Sequence, residues 1–363
     1  MKKNKNSLKY YADVAVIALI GFIVLKIILK DKDIGEIREQ VNNISIPCLI
    51  AAVVCLFVYV ASESLIIKTL LKQFKEKISF IKCLATSSIG FFFCGITPSA
   101  TGGQPLQVYT LSKHGYDPMV CTLVVTIITM VFKAVLLILF GVLAILAPDT
   151  MFSSISEVPI LFAIGLLVEL GFIVFCALLI RRPAIAKKIV LTVIGWLGKL
   201  KFVKKTEKMK EKFLSSMENY EKAAEFFSNH VWLNIGIFAI TIVQRVAYFS
   251  ICYLVYRGLG LSAYSYVDLL ALQVALSLSV DVLPLPGASG ANEGVFSVTF
   301  EGVFGEYLHA GLLLNRGITY YVLMICTGIG VLITKFLWKE NDGKKSLETA
   351  ETDIINSDNA KIE

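Results

Sequence analysis

Eight charged residues stand inside long apolar stretches of this sequence: Glu63, Lys133, Glu169, Arg245, Asp281, Glu293, Glu301 and Arg316. A charge in hydrocarbon is costly, so such residues ordinarily pair, line a wet cavity or meet a ligand. Lys133 and Arg316 suit a phosphate, the arginine through two parallel hydrogen bonds. A buried pair with Glu293, Glu169 or Glu63 is the competing role for both. Glu293 opens a half-helix shortly after Gly290. There a carboxylate either caps free N–H groups or meets a cationic headgroup or a proton. Gln244 and Arg245 lie mid-span and are expected to line the same cavity. Glu63 and Lys26, near the ends of their apolar blocks, are expected to snorkel to the interface. His114 reads as an interfacial polar residue.

Two breaks in the apolar pattern must position these groups. The stretch Leu283–Phe296, LPLPGASGANEGVF, holds two prolines, three glycines and a carboxylate. Pro284 and Pro286 remove backbone donors and interrupt a helix, while Gly287 and Gly290 admit angles that other residues avoid. Non-helical backbone at membrane depth is tolerated only where protein buries it or a wet cavity meets it. An upstream twin, Pro98-Ser99-Ala100-Thr101-Gly102, shares the pattern P-x-A-S/T-G with Pro286–Gly290. Interrupted segments at corresponding places in two halves point to a transporter's binding site. The free N–H groups near Gly102–Gly103 and Gly290–Ala291 suit a phosphate oxygen. The residues expected at the lipid site are therefore Thr101, Gly102, Gly103, Gln104, Lys133, Arg245, Asp281, Ser289, Gly290, Asn292, Glu293 and Arg316.

Of the 363 residues, 56 % are hydrophobic and 17 % charged, with mean hydropathy +0.72. The apolar residues fall in blocks, which reads as an all-α polytopic membrane protein. The net charge of +7 comes from lysines beside those blocks, as in cytoplasmic loops facing anionic lipid. No basic, aromatic-interleaved region supports a nucleic-acid partner. The eight cysteines sit in or beside apolar segments without a C-x-x-C pair, and read as small packing residues. No metal spacing, nucleophile–base set or phosphate-binding loop is visible, and no catalytic residue, metal or cofactor is expected.

In chain order, a lysine-rich N-terminus precedes a first span, Tyr11–Leu29, retained rather than cleaved. A second span runs Ile46–Ile67, and a basic loop follows. Cys83–Ile96 is too short to cross, and with the Pro98–Gly103 break and Pro105–Ser112 it forms a re-entrant hairpin. Val120–Leu146 crosses, an acidic loop with Asp149 and Glu157 follows, and Pro159–Ile180 returns. A basic segment, 181–230, contains an amphipathic stretch, Ile189–Leu200, suited to the headgroup layer. Val231–Tyr256 crosses. Val267–Leu283, the second break and Asn292–Phe304 form a second hairpin, and Leu308–Leu337 recrosses. This gives about six spans and two hairpins in an inverted repeat, 11–147 and 159–337, within a domain 1–338. A disordered polar tail, 339–363, follows, and both termini are cytoplasmic.

The motifs resemble the flippase-like transmembrane region of lysylphosphatidylglycerol synthase, the membrane half of the multiple peptide resistance factor, over about residues 10–338. Thr97–Leu106 is similar to its first signature, Leu285–Gly294 to its second, and Asn315–Tyr321 to the arginine-plus-tyrosines pattern of its last span. Gln104 stands where the family often has Glu, and Phe132-Lys133 where it often has Glu-Arg. The resemblance implies a bacterial plasma-membrane lipid translocase for anionic or lysylated phosphatidylglycerol and a part in resistance to cationic peptides. The implied partners are membrane phospholipid, a second copy of the chain or a separate synthase. The alternative is a phosphatidylglycerol lysyltransferase or its membrane subunit, using lysyl-tRNA. The soluble transferase domain is expected to be absent, so that reaction is not expected from this chain alone. A scaffold acting through residues 181–212 is a third reading.

Overall fold

The computed structural model describes residues 34–74, 77–198 and 206–334. The expected span Tyr11–Leu29, Lys26 and the tail 339–363 lie outside the described residues. Among the described residues, five helices are long and apolar enough to cross a membrane. These are α2 (Ile46–Gln73), α5 (Pro118–Leu146), α7 (Pro159–Arg181), α10 (Val231–Gly258) and α13 (Glu301–Thr334). Around them lie α1 (Ile34–Asn42), α3 (Phe80–Ile96), α4 (Gly103–Lys113), α6 (Pro148–Glu157), α8 (Pro183–Gly198), α9 (Thr206–Asn229), α11 (Tyr266–Val280) and α12 (Ala291–Thr299). The protein is an all-α polytopic membrane protein.

Local chemistry starts these helices where it should. Proline occupies the first turn of α2, α5, α6 and α7, where its missing N–H has no helical partner to lose. The Asp117 carboxylate accepts from the N–H groups of Met119 and Val120 at 2.8 and 3.1 Å, capping α5. Ser265 and Asp268 form a reciprocal capping box at the start of α11.

A few contacts fix the direction of the five described spans. Ser45 N–H donates to the Gly258 carbonyl at 2.9 Å, and Gln244 in mid-α10 reaches the Tyr59 carbonyl in mid-α2 at 3.2 Å. Helices α2 and α10 are therefore antiparallel, with Ser45 and Gly258 at one face. At the other face the Phe74 ring meets Phe226 of α9. There too, Asn219 donates to Asp117 at the start of α5, and Tyr220 donates to the Leu179 carbonyl near the end of α7. The Ser45 face gathers Thr150 of α6, bonded to Asp268 at the start of α11, and Phe304 at the start of α13, packed on Tyr256.

Helices α3 and α4 leave and return to the Phe74 face, where Tyr116 donates to the Lys77 carbonyl at 3.1 Å. Helices α11 and α12 leave and return to the Ser45 face. With 17 and 15 residues, α3 and α11 extend only about 26 and 23 Å at 1.5 Å per residue, short of a hydrocarbon core about 30 Å thick. The two hairpins enter from opposite faces, and their turns, Pro98–Ala100 and Pro286–Ala288, touch.

Several boundaries differ from the sequence reading. Helix α2 continues to Gln73, so Lys68 and Lys72 belong to its last turns and not to a loop. The acidic connection around Asp149 and Glu157 is helix α6, with Met151 and Ser154 buried. The last span begins at Glu301, seven residues earlier than the apolar pattern suggests. Phe300 packs flat on Phe296, with ring centroids 4.1 Å apart, and carries the chain from hairpin to span without a loop. Glu301 is exposed there and takes no part in the interior chemistry.

Candidate functional site at the meeting of two hairpins

Both turns carry backbone strain. Ser99, Ala100 and Ala288 have φ of 50°, 52° and 52°, in the left-handed region, and Gly287 and Gly290 have 58° and 87°. A non-glycine residue there costs about 1–3 kcal/mol and persists only where its surroundings over-determine it. Tyr320 of α13 supplies one such constraint. Its hydroxyl donates to the Gly95 carbonyl of the first hairpin at 3.2 Å, and its ring lies where a Cβ on Gly287 of the second would stand.

The first turn is fastened from within. The Thr97 hydroxyl donates to the Phe93 carbonyl at 2.6 Å and accepts from Gly102 N–H at 2.8 Å. Cys94 Sγ donates to the Ala100 carbonyl at 3.2 Å. Gly103 lets α4 close on α3, since a Cβ there would meet the Gly90 carbonyl and Cys94 Sγ. Thr101 is exposed, with its hydroxyl on the Pro98 carbonyl. Gln104 is half-buried beside Cys94.

Beneath this turn lies Glu63, which the sequence placed at the interface. It is 8 % exposed and accepts from Gln107 Nε2 at 2.7 Å. Because α2 runs nearly three further turns, Glu63 is too deep to snorkel, and Gln107 supplies the donor it needs. Gln107→Leu is therefore expected to destabilise the protein by about 2–3 kcal/mol, the penalty of a buried carboxylate losing its donor. Adding Glu63→Leu should restore most of that. Thermal unfolding of both variants in detergent checks this, and equal melting points for wild type and Gln107→Leu would remove it.

The second turn is organised by Arg316. Its Nε donates to Glu293 Oε1 at 2.7 Å, and its Nη2 donates to the Gly287 carbonyl at 2.9 Å and to Ser289 Oγ at 3.5 Å. The other carboxylate oxygen of Glu293 accepts from Gly290 N–H at 2.6 Å. Glu293 thus does two jobs: it caps α12 and it neutralises Arg316. Both residues are under a tenth exposed. The guanidinium also lies 4.6 Å from the Tyr320 ring centre, a cation–π arrangement. A π-helical turn, Gly317–Val322, follows Arg316 directly, a distortion that recurs at functional sites. Asn292, in the first turn of α12, is half-buried.

The remaining charges form a second cluster. Lys133 of α5 pairs with Glu169 of α7 at 2.5 Å. Arg245 of α10 is 3 % exposed, with its guanidinium 3.4 Å over the Phe132 ring. Asp281 is half-buried where α11 ends, and its charge acts on both Arg245 and Glu169. The interior charges thus pair as Lys133–Glu169, Arg316–Glu293 and Glu63–Gln107, while Arg245 lies against Phe132. Sequence reasoning missed Gln107, Thr97 and the Tyr320 bridge. Gln107 had one signal, a polar residue one turn after Gln104. The other two roles are tertiary.

Among the described residues no group of histidine, cysteine or carboxylate side chains is arranged to hold a metal. The family described as the lysylphosphatidylglycerol synthase TM region matches residues 11–326 of the chain. No curated protein matches it.

Proposed function

The chain belongs to the lysylphosphatidylglycerol synthase TM region family, and from that premise we propose that it moves a phosphatidylglycerol-type lipid, plain or lysylated, between leaflets of the bacterial plasma membrane. It is a membrane protein of a family tied to lysylphosphatidylglycerol synthesis. The finer activity is inferred from one observation: two strained turns, entering from opposite faces, meet at Tyr320 beside the Arg316–Glu293 pair. A site at the junction of two opposed hairpins is opened to either face by moving one hairpin against the other. Arg316 and Glu293 bring one positive and one negative charge to that junction, the two signs that a lysylated headgroup carries.

Charge asymmetry supports the orientation. Lys72, Lys77, Lys82, Lys113, Arg181, Arg182, Lys187 and Lys188 gather toward the Phe74 face. Asp149, Glu157, Asp268, Glu301 and Glu306 gather toward the Ser45 face, with Arg257. The positive-inside rule then makes the Phe74 face cytoplasmic. A contribution to cationic-peptide resistance follows if lysylated lipid reaches the outer leaflet, where it lowers the negative surface charge.

The test is leaflet exchange of fluorescent phosphatidylglycerol and its lysylated form in liposomes with and without purified protein. Exchange is expected to rise with wild type. Tyr320→Phe, which removes the bond across the hairpins, is expected to lose about 1 kcal/mol of stability and to slow exchange several-fold. Unchanged exchange on adding wild-type protein overturns the reading. Lysylated lipid formed from lysyl-tRNA by the chain alone would replace it with a transferase.

A further inference from the structure

The two interior arginines are used differently. Arg316 spends the edge formed by Nε and Nη2 on Glu293 and Gly287. That edge is the side of a guanidinium from which two parallel N–H groups take a carboxylate or phosphate. On Arg245 the same edge is unused: Nε and Nη2 are both buried and neither has a hydrogen-bond partner among the described residues. Arg245 is 3 % exposed. Its guanidinium carbon lies 3.4 Å from the Phe132 ring centre and 5.5 Å from that of Phe249, and neither ring can accept in the plane of the Nε–Nη2 edge. An arginine keeps its proton under all ordinary conditions. A buried, unpaired guanidinium is strongly unfavourable unless an anion arrives.

The neighbouring carboxylates do not fill that role. Glu169 gives one oxygen to Lys133 at 2.5 Å, and its other oxygen is buried without a partner. Asp281 acts on Arg245 through its field, but the described residues include no ion pair between the two. Arg245 sits one residue from Gln244, which fastens α10 to α2 through the Tyr59 carbonyl. Its backbone is therefore held, and an anion must come to it.

We propose that the Nε–Nη2 edge of Arg245 is a second anion subsite, separate from Arg316–Glu293, that takes a phosphate-type oxyanion in two parallel hydrogen bonds. The phosphate comes from a lipid headgroup or from free phosphate. The lipid source deepens the translocation reading and rests on it, whereas the subsite itself does not. The Glu169–Lys133 pair contributes one charge of each sign to the same interior.

The experiment measures binding and exchange separately. Purified full-length protein in neutral detergent is titrated with short-chain phosphatidylglycerol, with inorganic phosphate and with uncharged short-chain diacylglycerol, followed by thermal shift and calorimetry. Wild type is expected to bind at least one phosphate-bearing ligand and not diacylglycerol. Binding of the lipid alone assigns the headgroup, and equal binding of both assigns free phosphate. Arg245→Gln is expected to weaken that binding about tenfold or more, and Arg245→Lys, which keeps charge but not the fork, several-fold. Arg316→Gln should leave a measurable Arg245-dependent component. The subsite is overturned if Arg245→Gln binds as wild type does, or if Asp281→Asn lowers the melting point as much as Arg245→Gln while binding is unchanged, since Asp281 would then be the partner. Retained, Arg245-dependent binding without leaflet exchange would remove the translocase reading and leave the subsite standing.

Discussion

Replacing Glu293 by alanine is expected to destabilise the protein by about 3–5 kcal/mol, the range for removing one partner of a buried pair and leaving the other charge uncompensated. The loss is large because one side chain serves two partners. Glu293 Oε1 neutralises Arg316, and Oε2 caps α12 through Gly290 N–H. Glu293→Gln keeps acceptor geometry for one of these and should lose less, about 1–3 kcal/mol. Arg316→Met combined with Glu293→Met is expected to be closer to wild type in stability than either single change, because no unpaired charge is then buried. Leaflet exchange should nevertheless be abolished in the double variant. Stability and transport therefore separate, and thermal unfolding beside the liposome assay reads both. A double variant that unfolds as early as Glu293→Ala would show that the pair's role is not electrostatic.

The second large effect is expected at Gly165. Helix α7 crosses α11 so closely that a Cβ on Gly165 would coincide with the Leu278 carbonyl. Backbone cannot step aside as a flexible side chain can. Gly165→Val should force the helices apart and destabilise by about 3 kcal/mol, the upper end of over-packing. Gly171 in the same helix is the control, since nothing lies within 4 Å of a Cβ there. Gly171→Ala should be neutral or raise stability by up to about 1 kcal/mol through helix propensity. Because Glu169 lies one turn beyond Gly165 and reaches Lys133, Gly165→Val should also disturb the second charge cluster. Glu169→Gln in a Gly165→Val background is then expected to cost less than in wild type. Melting points of the four proteins give the coupling directly, and strict additivity would break the proposed link.

Much of the site was legible residue by residue. The charges at 133, 245, 281, 293 and 316 were visible because a charge inside an apolar block stands out whatever the fold. The two turns were visible because proline and glycine act locally on the backbone. The dual role of Glu293 was half legible, since a carboxylate in a first turn announces a cap. Its bond to Arg316, 23 residues on, was only one of several pairings open to it. Glu63 was misjudged because helix length was inferred from apolar residues alone. Helix α2 carries Lys68 and Lys72 in its last turns, and those lysines hid its true end. Phe300, Glu301 and Gly302 looked like the close of a hairpin. Aromatic stacking of Phe296 on Phe300, with Phe304 beside them, makes them the start of a span.

What the sequence determined by itself is the membrane class, the identity and sign of most interior charges, with Glu301 the exception, and the presence of two matching breaks. These follow from hydrocarbon rejecting charge and unpaired backbone, a rule that acts on each segment separately. What only the tertiary structure decided is which charge meets which. Lys133 found Glu169, Arg316 found Glu293, Glu63 found Gln107, and Arg245 was left with a free edge. Pairing depends on a few ångströms of helix rotation and depth, set by contacts such as Gly165 on Leu278 and Tyr320 against Gly287. Those contacts join residues distant in the chain, and no local preference encodes them.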